Sequence, residues 1–301
     1  MTIRAHGLTK AYGPITAVDN LTFAAPAGAV TALVGPPGAG KTTTLAMLLE
    51  LVNPTAGEAT VIGDAGAVLG APSAHPRRTA LAHLKIYAAA LAVPDSRAYQ
   101  VLSLVGLSGA ADVRVHTFDP GMRTRLALAT ALLGNPRVLL LDEPVAGLDG
   151  DGVVWLRNLL RAFAERGGTV LMTSASLRAV ERLADRLVIL RRGAAVYTGT
   201  FDDLRYAHRG RVFVTASDPA RLAVALAARG ATNAQLQPDG RLAVADVAPA
   251  DIDAVAVAAG VQVHAARVEQ VDLEQVFLGL TAPQFAPATP QFGGPLPGVP
   301  R

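Results

Sequence analysis

The chain has 301 residues, enough for one large domain and a small one, and 51% of them are hydrophobic, much of that alanine. Its net charge is only +3, and the basic pairs Arg77-Arg78 and Arg191-Arg192 lie far apart without interleaved aromatics, so they read as solvated surface and no nucleic-acid partner is expected. The absence of cysteine excludes disulfides, thiolate metal sites and a cysteine nucleophile, and no run of about 18 residues is free of polar breaks, so neither a membrane span nor a signal peptide is expected.

Residues 2–23 alternate as two short strands around a loop, Lys10-Ala11-Tyr12-Gly13-Pro14. An apolar run over 29–34 follows, and then Gly35-Pro36-Pro37-Gly38-Ala39-Gly40-Lys41-Thr42, with Thr43 and Thr44 behind it and a helical pattern over 45–51. The stretch fits G-x-x-x-x-G-K-[ST] between a strand and a helix, where a phosphate-binding loop sits. Glycines let successive backbone N–H groups and the helix N-terminus point at β- and γ-phosphates with no side chain in the way. Lys41 reaches the same oxygens, and the Thr42 hydroxyl can ligate Mg2+. The chain has three lysines, Lys10, Lys41 and Lys85, against 24 arginines. A compact point charge is therefore kept where a planar guanidinium would not fit. The alternative is a plain Gly/Pro turn before an amphipathic helix. Upstream of such a loop, Tyr12 is either a core aromatic or a ring that stacks on an adenine.

Asn53-Pro54-Thr55-Ala56-Gly57 is a turn, a strand follows over 58–62, and a stretch beginning Gly66-Ala67-Val68-Leu69-Gly70 runs through a largely helical region to about Gly109. The second motif is Arg137-Val138-Leu139-Leu140-Leu141-Asp142-Glu143-Pro144. Four apolar residues in a row suit a strand buried on both faces of a parallel sheet, and they deliver two carboxylates at its C-terminal end. Asp142 would hold Mg2+, and Glu143 would orient and deprotonate an attacking water. A hydrophobic strand ending in Asp-Glu is common by itself, but about 100 residues after a phosphate loop it is the expected partner. The six histidines show no ligand-like spacing.

In order, Tyr12, residues 35–42, Phe118-Asp119-Pro120-Gly121-Met122, residues 139–144 and Gly147-Leu148-Asp149 resemble the nucleotide-binding subunit of an ABC transporter. The resemblance covers residues 2–205. Further on, Val271-Asp272-Leu273-Glu274-Gln275-Val276-Phe277-Leu278 resembles the ending of the multidrug or antibiotic-export branch, the daunorubicin-resistance type. The resemblance implies an α/β fold, with a P-loop NTPase domain and a helical subdomain. It further implies ATP and Mg2+ as cofactors, a second ATP-binding subunit as homo- or heterodimer partner, and a separate integral-membrane permease. Such a subunit would sit peripherally on the cytoplasmic face of the cell membrane and drive drug efflux by ATP hydrolysis.

Three family positions depart from the pattern. The signature normally reads Leu-Ser-Gly-Gly-Gln, and in the family its serine contacts the γ-phosphate held by the opposite subunit; here Asp119 stands in that place. At about 4 Å and an effective dielectric of about 20 the repulsion is about 4 kcal/mol. This exceeds the roughly 1.5–3 kcal/mol of a hydrogen bond to a charged group. Asp119-Pro120 is also a favoured helix start, with Asp as cap and Pro in the first turn of a helix over 121–133. Gly70 stands where the family carries a glutamine, and Ala175 where it carries a histidine, with Ser174 or Ser176 as one-residue offsets. These departures keep open a second expectation, a weakly or non-hydrolytic ATP-binding subunit that regulates a transporter or completes an intact partner.

Beyond Asp203 the pattern reads strand (212–216), helix (219–228), a hairpin of 234–237 and 241–245 across Pro238-Asp239-Gly240, helix (249–259) and strand (261–268). This β-α-β-β-α-β order predicts a small α+β accessory domain over 206–281 after an ATP-binding domain over 1–205. A final helix over 272–280 carries Leu273, Val276, Phe277 and Leu280 on one face, expected to pack on its own small domain. Residues 282–301, proline-rich and poor in charge, read as a disordered tail.

Overall fold

The structure is a computed structural model that describes residues 2–70, 74–208, 210–245, 247–269 and 272–282. The expected tail from residue 283 onward, and Val271 of the last motif, lie outside the described residues.

The chain opens on a long antiparallel hairpin, β1 (Ile3–Tyr12) and β2 (Ile15–Ala25), turned by Gly13-Pro14 alone, with β4 (Ala56–Val61) on the other edge of β1. The expected five-residue loop is thus corrected: β1 continues through Tyr12, because the pairing of Tyr12 with Ile15 carries the ladder up to the turn. A second, six-stranded sheet forms from β3 (Val30–Val34), β5 (Ala65–Val68), β6 (Val138–Leu141), β7 (Thr169–Ser174), β8 (Arg186–Arg191) and β9 (Ala194–Gly199), in the order β5-β6-β7-β3-β8-β9. Its pairings are parallel except for the edge strand β9.

The largely apolar runs of β3, β6, β7 and β8 follow from burial on both faces, since neighbouring residues serve different cores. Val34, Leu139, Leu141, Met172 and Ile189 face one core, which holds α2 (Ala80–Ala90), α3 (Ser96–Leu104), α4 (Pro120–Leu132) and α5 (Gly150–Glu165). Leu33, Val138, Leu140, Leu171 and Leu190 face the other, closed by α1 (Lys41–Leu48) and the hairpin sheet. Short α6 (Leu177–Val180) follows β7, and α7 (Phe201–Ala207) follows β9. Among the described residues no helix is long and apolar enough to cross a membrane.

The last third builds a four-stranded antiparallel sheet, β11-β12-β10-β13, from β10 (Val212–Ala216), β11 (Ala234–Leu236), β12 (Leu242–Val244) and β13 (Val263–Val268). α8 (Pro219–Ala228) and α9 (Pro249–Ala259) close its core with Leu222, Leu226, Ile252 and Val255. The final helix, α10 (Leu273–Thr281), corrects its expected packing. Leu273 and Phe277 are buried in the first core, beside α6 and β8, and not in the small domain's core. The physical reason is available surface: α8 and α9 already seal the small core, whereas four-residue α6 leaves apolar groups that α10 covers. Arg191, expected as solvated surface, is half-buried and donates from Nη1 to the Leu280 carbonyl at 3.2 Å in the same contact.

Candidate functional site

The sheet alternation decides which groups meet at the C-terminal ends of the strands. Leu140 faces the α1 side, so Asp142, two residues on, does too; Leu171 faces that side, and so does Thr173. The two meet there: the Thr173 hydroxyl donates to Asp142 Oδ1 at 2.6 Å. The Thr42 hydroxyl, in the first turn of α1, donates to Asp142 Oδ2 at 2.9 Å. Both oxygens of a carboxylate only 8% exposed are therefore satisfied by hydroxyls from two different elements. The same Thr173 oxygen accepts the Glu143 N–H at 2.9 Å.

Glu143 departs from the alternation. Its φ of +48° is left-handed, which a side chain other than glycine adopts only at a cost of about 1–2 kcal/mol. Its carboxylate stands with Oε1 3.4 Å from Lys41 Nζ, while Oε2 accepts the Ala175 N–H at 3.1 Å. Ala175 thus supplies a backbone donor to Glu143. Lys41 is 7% exposed and donates to the carbonyls of Gly35 at 2.7 Å and Pro36 at 3.3 Å.

The loop itself is a cradle that tolerates no larger residue at two places. A Cβ on Gly40 would stand 2.3 Å from the Ala17 carbonyl oxygen, and Gly40 has a φ of +94°. A Cβ on Gly35 would stand 2.7 Å from the Leu190 oxygen and 2.9 Å from Ala39 Cβ. Ala39 is buried, while Pro37 and Gly38 are exposed at the tip. Gly40 begins α1 with no side-chain cap, in contrast to α4 and α5, which Asp119 and Asp149 cap. Uncapped N–H groups, a buried ammonium and a glycine turn together suit a multiply charged anion such as the phosphates of ATP. The donor set also fits a hard divalent cation, because Thr42 Oγ1 and Asp142 Oδ2 are oxygen ligands already side by side. Thr43 is half-buried behind Thr42.

Tyr12 lies at the end of β1, 49% exposed, with the Lys10 ammonium 5.1 Å from its ring centre. The hairpin that carries it passes beside the loop, since Ala17 of β2 is the backbone against Gly40. Gly70 has a φ of +61° and open space around it. Asp119 caps α4, accepting the Met122 N–H at 2.7 Å, with Pro120 in the first turn as expected. Thr173 is the site residue that sequence reasoning passed over. Its signal was there: a hydroxyl interrupting an apolar strand one step beyond the pair Leu141 and Met172, hence beside Asp142.

A family model described as ABC transporter matches residues 18–146. The chain is 34% identical over 221 residues to the bacitracin transport ATP-binding protein BcrA of Bacillus licheniformis, covering 69% of this chain and 72% of that one. To the lantibiotic transport ATP-binding protein SrtF of Streptococcus pyogenes it is 32% identical, covering 66% and 91%. The daunorubicin/doxorubicin resistance ATP-binding protein DrrA of Streptomyces peucetius is 34% identical, covering 67% and 66%. Among solved structures, an ATP-binding subunit of an ABC transporter superposes with a TM-score of 0.63 at 24% identity, over 69% of this chain and 93% of that one. A dimeric ATP-binding cassette in a post-hydrolysis state with ADP and Pi gives 0.61 at 23%, over 66% and 98%. The fold is that of these cassettes, and the chain belongs to the ATP-binding subunits of ABC transporters, whose activity is ATP hydrolysis.

Proposed function

We propose that this subunit hydrolyses Mg·ATP to drive export of antibiotic-like compounds through a separate integral-membrane permease, paired with a second ATP-binding subunit at the cytoplasmic face of the membrane. The carrying observation is the hydrogen-bonded set Thr42, Asp142, Thr173 and Glu143 at the foot of the 35–42 loop. The transport roles printed for BcrA, SrtF and DrrA support the substrate class. Lys41 and the N-terminus of α1 hold the phosphates, Tyr12 stacks on the adenine, and Thr42 with Asp142 holds Mg2+. The cation, when bound, neutralises charge on the phosphate oxygens. The Glu143 carboxylate, fixed by the Ala175 N–H, takes the proton of the attacking water. Residues 1–205 form the ATP-binding unit and 206–281 an accessory one, with α10 returning to the former.

A second reading, a slow or non-hydrolytic subunit that regulates or completes an intact partner, draws on Asp119, which presents an anionic cap where the family presents a hydroxyl. The steady-state Mg·ATPase rate of the full chain separates the two, with Glu143→Gln as the blank and nucleotide affinity measured in parallel. Hydrolysis above the blank with affinity kept in the variant supports the motor. Unchanged hydrolysis in Glu143→Gln rejects Glu143 as base, and binding without hydrolysis in the parent chain selects the second reading.

A further inference from the structure

The stretch 173–178, from the end of β7 into α6, is tied at both ends. At its start, Thr173 holds Asp142 and the Glu143 N–H, and the Ala175 N–H holds the Glu143 carboxylate. In its middle, Ser174 Oγ donates to the Ser176 carbonyl at 2.9 Å and accepts the Ser176 N–H at 3.1 Å, so the turn is closed on itself. At its end, the Arg178 N–H in the first turn of α6 donates to Glu274 Oε2 at 3.0 Å. The first N–H groups of a helix have no partner within it, and this one is satisfied by a carboxylate 96 residues away in sequence. The helix that brings Glu274 there is anchored by Leu273 and Phe277, 6% and 4% exposed in the first core, and by Arg191 on Leu280.

We propose that Glu274 is a positioning residue for ATP hydrolysis: α10 holds the 173–178 turn from its far end and so sets the Ala175 N–H that orients the Glu143 carboxylate. The inference rests on Glu143 being the base. The four residues of α6 are too few to be stable alone, because nucleation costs more than one turn returns, and its only local cap is Ser176 Oγ, which accepts the Ala179 N–H at 3.3 Å. The bond from the Arg178 N–H to the Glu274 carboxylate adds a tertiary restraint to that local one.

The test uses the full chain with Glu274→Ala and Glu274→Gln, reading kcat, nucleotide Kd, Tm and amide hydrogen exchange. In Glu274→Ala, kcat is expected to fall about 3- to 10-fold, the rate equivalent of the net worth of one ordinary hydrogen bond. Kd stays within about twofold, Tm within the few degrees expected of one surface hydrogen bond, and exchange at the Ala175 and Arg178 amides rises. Glu274→Gln, whose side-chain oxygen still accepts the Arg178 N–H, restores most of the rate and of the protection. Unchanged exchange at Ala175, an unchanged kcat in a hydrolysing parent, or a joint loss of kcat, affinity and Tm each overturns the proposal. The exchange reading holds even for a parent that does not turn over. Hydrolysis persisting in Glu143→Gln would instead remove the assignment of the base, a separate result.

Discussion

Replacing Glu143 by glycine should leave the protein more stable than replacing it by alanine, the reverse of the usual order. The φ of Glu143 is +48°, in the left-handed region where a Cβ crowds the following carbonyl, at about 1–2 kcal/mol for any L side chain. Alanine keeps that strain and glycine releases it. Both variants delete the 3.4 Å approach to Lys41 and the acceptor for the Ala175 N–H, so those losses cancel in the comparison. Against the release stands glycine's larger freedom in the unfolded chain, about 0.5–1 kcal/mol. The balance favours glycine by about 0.5–1 kcal/mol, or about 1–4 °C in Tm for a unit of this size. Thermal and urea unfolding of the two variants without nucleotide measures it, and both should be inactive as ATPases. A Glu143→Ala protein as stable as Glu143→Gly, or more so, refutes the reasoning that Glu143 is held under backbone strain.

Asp119→Ser should raise the ATPase rate by about tenfold, which is what remains of the roughly 4 kcal/mol repulsion after solvent screening at an exposed carboxylate. Tm should move little because serine also caps α4 through the Met122 N–H; an unchanged rate would clear Asp119 of limiting turnover. Burial, and secondarily the charge of Arg78, hold the His83 imidazole below its ordinary value of 6.5. The unfolded chain therefore takes up this proton more readily. The stability His83 contributes is complete above pH 6.5 and declines as pH falls toward the lower folded value. Between pH 7.5 and 5.5 the Tm of His83→Gln should fall less steeply than that of the parent, and parallel curves would remove His83 from the account.

The phosphate loop, the Asp142-Glu143 strand, the start of α4 at Asp119-Pro120 and the succession of strands and helices in the small domain were legible in the sequence, because each is encoded by a local pattern. Loop chemistry needs glycines at fixed offsets, a doubly buried strand needs an apolar run, and a helix start needs an acceptor and a proline within a few residues. Thr173, the left-handed backbone of Glu143 and the placement of α10 were not legible. Thr173 matters because β7 lies beside β6 in register, a pairing between residues about thirty positions apart that no window reveals. The amphipathic face of α10 announces that Leu273 and Phe277 are buried, but not where. Apolar burial has no direction of its own, so the partner was chosen by which surface the rest of the fold left open, and that was α6 beside the turn at Ala175.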